Sequence, residues 1–303
     1  MSDTKSARPA CRSMLYMPGN NPSMLQHVVA FGADSVLLDL EDAVSEREKD
    51  AARCLVRHFV KDVDFGKIIV TVRVNGADTP YFERDLKEII PSRPAAVRVP
   101  KCHSPEDVTL ADRLISEIER ANDIPLGSVK IHAMIETAHG IEHAYDIAVS
   151  SPRLEALTLG GQDLTADLGV QKTRGGVEFL YARGRIVMAA KAAGLAAFDT
   201  VWTDLNDMEG LKNEATLAVQ IGFTGKAAIH PSQVDIIHEA YRPDRKELRR
   251  AFRIVYAAEA AEREGKGVIA VDGRMVDGPI VTRAFNLINL ARLYGIEKED
   301  DLA

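Results

Sequence analysis

DSVLLDLEDAVSEREKDAARCLVRHFV, residues 34–60, contains one complete unit of the fold. Its first part (34–42) is a short apolar run that ends in acids. Its second part (45–60) carries apolar residues at helical spacing behind an acid-rich first turn, where the helix dipole favours negative charge. The short run is apolar on both alternating sets of positions, as expected of a strand in a parallel sheet buried on both faces.

The same unit recurs in both directions. Upstream, RSMLYMPG (12–19) reads as a strand ending in a Pro-Gly turn, and PSMLQHVVAFG (22–32) as a helix with a terminal glycine. Downstream, strands are predicted at KIIVTVRVN (67–75), AAVRVPK (95–101), KIHAMIETA (130–138), EALTLGGQD (155–163), AAFDTVWTD (196–204) and GKAAIHPSQ (225–233). Helices are predicted between them, near 81–90, 104–122, 139–150, 177–193, 207–221 and 232–241. Eight strand–helix units in about 240 residues predict a closed (β/α)8 TIM barrel. The alternative, an open doubly wound sheet, lacks a GxGxxG after the first strand. Residues 246–267 read as a long helix, 268–281 as a hairpin or loop, and 282–295 as a final helix. The expectation is a single domain, with a barrel over 12–242 and a C-terminal extension over 243–303.

The 303 residues are 46% hydrophobic and 27% charged, with a formal net charge of −7. That composition suits a globular enzyme and argues against general nucleic-acid binding, which needs a basic face. Cys11, Cys54 and Cys102 form neither a CxxC motif nor an even disulfide set. No apolar run reaches the ~18 residues of a membrane span, and the N-terminus has no apolar signal region. A cytoplasmic location is expected.

Active sites of this fold gather at the C-terminal strand ends. The polar residues placed near strand ends are Arg12 (at the start of the first strand), Glu41, Asp42, Arg73, Asn75, Lys101, Glu136, Asp163, Asp204 and His230. Glu136 and Asp163 end adjacent strands, about 4.8 Å apart in a parallel sheet. Their carboxylates could converge on one hard cation such as Mg²⁺, which takes one or two carboxylates plus waters and substrate oxygens; each could equally cap the helix that follows. Arg73 could clamp a carboxylate with its planar fork, or pair with Glu41 or Asp42, or do both. Gly160 and Gly161 could bring backbone N–H groups to an anion, or form a plain turn. His132 lies within a strand and reads as a core or lumen residue. Cys102 has no evident base beside it, which weakens a nucleophilic reading.

RSMLYMPGN, LLDLEDAV, VRVN, VRVPK, AMIETAHGI, LGGQDLTADLG, AFDTVWTD and DGRMVDGPIV, in this order, resemble the citrate lyase β-subunit group of the HpcH/HpaI aldolase/citrate lyase family. The likeness runs from about Arg12 to about Gly295. It implies a (β/α)8 barrel, Mg²⁺ dependence and an acyl-thioester substrate. By motif match it implies that Glu136 and Asp163 hold the metal, and that Arg73 holds the keto-acid carboxylate; backbone N–H groups near Gly161 are expected to share that carboxylate charge. Arg12 matches a position near the substrate or thioester. Asp277, which by itself reads as a turn residue, matches an acid/base supplied from a neighbouring subunit, commonly in a trimer. The implied reaction splits a citryl thioester into oxaloacetate and an acetyl thioester. The thioester could be carried by CoA or by an acyl-carrier protein, and a citrate lyase subunit would work with acyl-carrier and acyl-transferase subunits. The segment GGQDLTADLGVQKT departs from the GAEDYxxNL form of that group. A stand-alone malyl-CoA or citramalyl-CoA lyase or thioesterase, and a non-catalytic subunit, remain as alternatives.

Overall fold

A computed structural model describes residues 11–263 and 269–296. The chain divides into two compact units, one formed by Cys11–Tyr241 and the other comprising the helical C-terminal part from Arg242.

The first unit is a closed barrel of eight parallel strands in sequence order. The strands are β1 (Ser13–Pro18), β2 (Ser35–Asp39), β3 (Ile69–Arg73), β4 (Ala96–Val99), β5 (Lys130–Ile135), β6 (Leu154–Leu159), β7 (Ala196–Asp199) and β8 (Gly225–Ala228). The seam closes where β1 pairs with β8, Met14 opposite Ala227. The α-helices of this unit are α1 (Pro22–Leu25), α2 (Lys49–Asp62), α3 (Phe82–Ile89), α4 (Pro105–Ala121), α5 (Ala138–Glu142), α6 (Ala144–Ala148), α7 (Gly161–Leu168), α8 (Leu180–Ala192), α9 (Met208–Ile221) and α10 (Val234–Ala240).

The strands are largely apolar and almost wholly buried because each faces two interiors. Val36 and Leu38 of β2 pack outward in the core shared with the helices. Leu37, between them, joins Met14, Ala156, Ala196 and Phe198 in a separate apolar cluster inside the barrel. That cluster plugs the lumen towards the strand starts, so the space left for a ligand lies at the strand ends.

Several boundaries differ from the expectation. The region predicted as one helix over 139–150 is two short helices that meet at His143. The segment 22–32 is a short helix followed by a 3₁₀ turn, Val28–Phe31. The sixth strand stops at Leu159, and the residues read as its end open α7 instead. Asp163 is therefore in the first turn of a helix rather than at the end of a strand.

In the second unit, α11 (Arg245–Arg263), a hairpin of β9 (Ile269–Val271) and β10 (Arg274–Val276), and α12 (Gly278–Leu293) share a core that includes Leu248, Phe252, Val276 and Ile288. The expected helix over 246–267 runs in part outside the described residues. The last helix starts earlier than expected because Asp277 caps it, its Oδ1 accepting the Ile280 N–H at 3.3 Å, with Pro279 in the first turn.

Candidate active site

The strand ends enclose a cavity of about 160 Å³ lined by Tyr16, Arg73, Arg98, Glu136, Asp163 and Thr200 among others. That volume suits a small acid rather than a whole coenzyme thioester.

Glu136 follows the last residue of β5 and is 2% exposed. Its Oε1 accepts the N–H of Lys101 at 2.7 Å. Lys101 holds that N–H in place with φ of 52°, a left-handed conformation that costs a lysine energy. Burial, then the charges of Asp163 and Glu41, push the Glu136 carboxyl up to about 8. Gly160 must be a glycine, because a Cβ there would overlap the Glu136 carboxylate. Asp163, half-buried on α7, makes no side-chain hydrogen bond or ion pair among the described residues. It does not cap α7, whose N-cap position is Gly160. Two carboxylates thus face one cavity, and among the described residues no cationic side chain forms an ion pair with either. That donor chemistry fits a hard divalent ion completed by water and substrate oxygens. Among the described residues no three His, Cys, Asp or Glu side chains form a closed metal cluster.

Arg73 ends β3 and is buried. Its Nε and Nη2 donate to the two oxygens of Asp39 at 2.6 and 2.7 Å. Its Nη1 lies 2.8 Å from Glu41 and 3.4 Å from Asp42. Burial opposes ionisation of Asp39, but Arg73 holds its carboxyl below the usual carboxylate range. Glu41 also approaches Lys101 Nζ at 3.3 Å. Both expected partners of Arg73 are present; its main partner, Asp39, was not anticipated, although it shares the inward set of positions with Glu41.

Gly161 lies at the cavity, but its N–H donates to Thr200 Oγ1 at 3.0 Å, so this amide is spent on the fold. The amides of Gln162 and Asp163, next in the first turn of α7, have no partner among the described residues and remain for a ligand.

The other expected residues lie elsewhere. Arg12 immediately precedes β1, at the opposite end of the barrel. Its backbone N–H and guanidinium grip Asp34 at 2.7 to 2.8 Å, and it does not line the cavity. A role for Arg12 near the substrate has no support in this placement, because the strand start lies beneath the apolar plug. Asn75 donates to Asp85 and to the Leu40 carbonyl as a structural brace. Asp204 accepts the Asn206 N–H in a turn, and His230 caps the turn at Pro231. His132 is buried, its ring against Phe198. Cys102 is fully buried, which raises its thiol pKa and leaves it inert. Asp277 lies in the second unit and is exposed.

Sequence reasoning also passed over Tyr16 and Arg98, from β1 and β4. Arg98 donates through Nη1 to Tyr16 Oη at 2.7 Å. Behind the mouth, Lys226, Arg183, Asp199 and Glu214 form a buried ion cluster between β7, β8, α8 and α9.

The profile of the HpcH/HpaI aldolase/citrate lyase family matches residues 12–231. The chain is 42% identical to the citrate lyase subunit beta of Leuconostoc mesenteroides subsp. cremoris, over 92% of this chain and 93% of that protein. It is 34% identical to the L-malyl-CoA/beta-methylmalyl-CoA lyase of Cereibacter sphaeroides, over 95% and 96%. A crystal structure of the protein CitE from Mycobacterium tuberculosis, in complex with magnesium, acetoacetate and coenzyme A, superposes with a TM-score of 0.76. It is 33% identical, and the match covers 93% of this chain and 98% of that one. With its eight-stranded barrel and a likeness that spans nearly its whole length, the chain belongs to the HpcH/HpaI aldolase/citrate lyase family.

Proposed function

We propose that this protein is a Mg²⁺-dependent carbon–carbon lyase that splits a citryl thioester into oxaloacetate and an acetyl thioester, or joins them in reverse. The observation that carries this reading is the pair Glu136 and Asp163. Two carboxylates line one small cavity and, among the described residues, neither forms an ion pair; beside them are a buried arginine and the open amides of α7.

Glu136 and Asp163 would hold the metal ion, which when bound supplies Lewis-acid stabilisation to oxygen as charge develops on it. Lys101 orients Glu136 through its backbone N–H. Arg73, fixed by Asp39, would present its remaining N–H groups to the carboxylate of the keto-acid half, and the amides of Gln162 and Asp163 would share that load. In the cleavage direction the substrate hydroxyl loses its proton and becomes the keto oxygen. The bond to the neighbouring CH₂ breaks, and its electron pair passes to that fragment as a thioester enolate. One proton returned to carbon balances the one removed. Asp277 of a neighbouring subunit would deliver it, within a homotrimer. The acyl group would arrive on CoA or on an acyl-carrier protein, the latter in a complex with acyl-carrier and acyl-transferase subunits in the cytoplasm. Among the described residues no helix is long and apolar enough to cross a membrane.

The likeness to a malyl-CoA lyase supports a second reading, a stand-alone lyase for malyl or citramalyl thioesters. One assay separates the two: release of keto acid from citryl, malyl and citramalyl thioesters, with Mg²⁺ and with EDTA. The proposal expects oxaloacetate from the citryl thioester, abolished by EDTA. No keto acid from any of the three would overturn the lyase reading.

A further inference from the structure

Two guanidiniums line the cavity, and they are balanced differently. Arg73 meets three carboxylates, Asp39, Glu41 and Asp42. Arg98 is 1% exposed and meets none within ion-pair distance among the described residues. Its Nη1 donates to Tyr16 Oη, its Nη2 faces Met14 Sδ, and its Nε has no partner. A buried guanidinium without an acid is costly unless an anion completes its surroundings.

Tyr16 connects Arg98 to the space above. Its ring lies between the two arginines, 5.3 Å from Arg73 Cζ and 5.7 Å from Arg98 Cζ. Its hydroxyl oxygen is engaged as an acceptor from Arg98, while the hydroxyl's own proton has no acceptor among the described residues. A phenol that accepts from a cation is a stronger donor in the other direction. The side chain lines the cavity, so that donor is available to a ligand there. Once Arg73 and the α7 amides hold one carboxylate, a second one entering this cavity meets Glu136 and Asp163, both repulsive unless a cation covers them.

We infer that Tyr16, with Arg98 behind it, binds the second carboxylate of the keto-acid half, and so selects a four-carbon dicarboxylate such as oxaloacetate over pyruvate or glyoxylate. Tyr16 touches the ligand, and Arg98 is a positioning residue that acts through it. This inference rests on the lyase reading above. It adds the substrate class that a metal and Arg73 do not distinguish, because they would serve the carboxylate that every 2-keto acid carries.

Calorimetric titration of the Mg²⁺-loaded protein with oxaloacetate and with pyruvate tests it without turnover. Tyr16→Phe removes one oxygen and keeps the ring between the arginines. The ratio of the oxaloacetate to the pyruvate dissociation constant should rise about tenfold in that variant, as expected for losing one hydrogen bond to a charged group. Arg98→Met should shift the ratio the same way by a smaller factor, with KM for the citryl thioester rising more than kcat falls. An unchanged ratio in both variants, or equal weakening of the two acids, would reduce Tyr16 to a packing residue and overturn the inference alone. Failure of the parent protein to bind either keto acid would overturn the lyase reading and this inference together.

Discussion

A lysine at position 73 would keep the positive charge and lose the planar fork. Arg73 grips both oxygens of Asp39 and still faces the cavity, so the substitution should act twice. Catalytic efficiency should fall on the order of 10²-fold, roughly 2.7 kcal/mol of transition-state stabilisation. Stability should fall by about 1–3 kcal/mol, because Asp39 is left partly unpaired in a buried position. Steady-state kinetics and urea unfolding separate the two effects, and kinetics within about a factor of three of the parent would show that Arg73 only orders the core. Glu136→Ala and Asp163→Ala test the metal assignment at the same scale. Each should nearly abolish turnover while the thermal midpoint holds or rises, since removing either carboxylate relieves a like-charge repulsion. Full activity in EDTA would remove the metal from the scheme. The importance of Glu136 was legible from its place after an apolar strand. The pairing of Arg73 with Asp39 was not, because Asp39 sits 34 residues away and only the register of β2 against β3 brings the two together.

The ends of β7 and β8 rest on a buried cluster. Lys226 Nζ contacts Asp199 at 2.9 Å and Glu214 at 2.7 Å, and Arg183 reaches both acids from α8. These elements carry Thr200, which fixes Gly161 at the mouth of the barrel. Lys226→Met should cost about 3–5 kcal/mol in urea unfolding, because it leaves buried acid uncompensated. Burial works to raise the Asp199 pKa, but Lys226 and Arg183 together hold it lowered. The sign follows: a depressed carboxylate stabilises the fold above its unfolded value, about pH 4, and that contribution is lost as pH falls further. The stability of the parent should therefore drop below about pH 4, and Asp199→Asn, less stable at neutral pH, should drop less steeply. Parallel acid profiles would show that the charge on Asp199 is not what holds these strands. The helix α7 was not anticipated at this scale. Its first residues, Gly-Gly-Gln-Asp, have low helix propensity at the glycines and read as a strand end. The helix starts there because Gly160 and Gly161 fit against Glu136 and Thr200, contacts between units of the barrel.

The role proposed for Asp277 depends on assembly. Its carboxylate caps α12 within the second unit, so the simple reading as a local brace is satisfied by the chain itself. Asparagine caps a helix about as well as aspartate. Asp277→Asn therefore keeps α12 and removes only the ionisable group. If Asp277 serves a neighbouring subunit, this variant should lose proton transfer at the acetyl carbon, read as loss of deuterium exchange into an acetyl thioester, while keto-acid and Mg²⁺ binding stay within about twofold. Mixed with inactive Glu136→Ala subunits, it should regain partial activity, because some shared sites would receive both intact groups. Demonstrated subunit exchange without any return of activity would defeat the shared-site arrangement.

The eight short, mainly apolar strands, each followed by a helix, determined the barrel without tertiary information, since a strand with apolar residues on both alternating sets of positions needs both faces buried. Strand ends then placed Glu136 and Arg73 at one mouth, and the spacing of the units brought Asp163 beside them, even though it sits on a helix. The tertiary structure decided which charges are balanced. Arg73 is matched with three acids, Arg98 is left with a phenol, and Arg12 is bound to Asp34 at the far end. Pattern in a sequence reports which face a side chain takes. Whether a charge on that face is neutralised depends on partners far apart in sequence, as Tyr16 and Arg98 are at 82 residues, and on the shear that brings their strands to a common level.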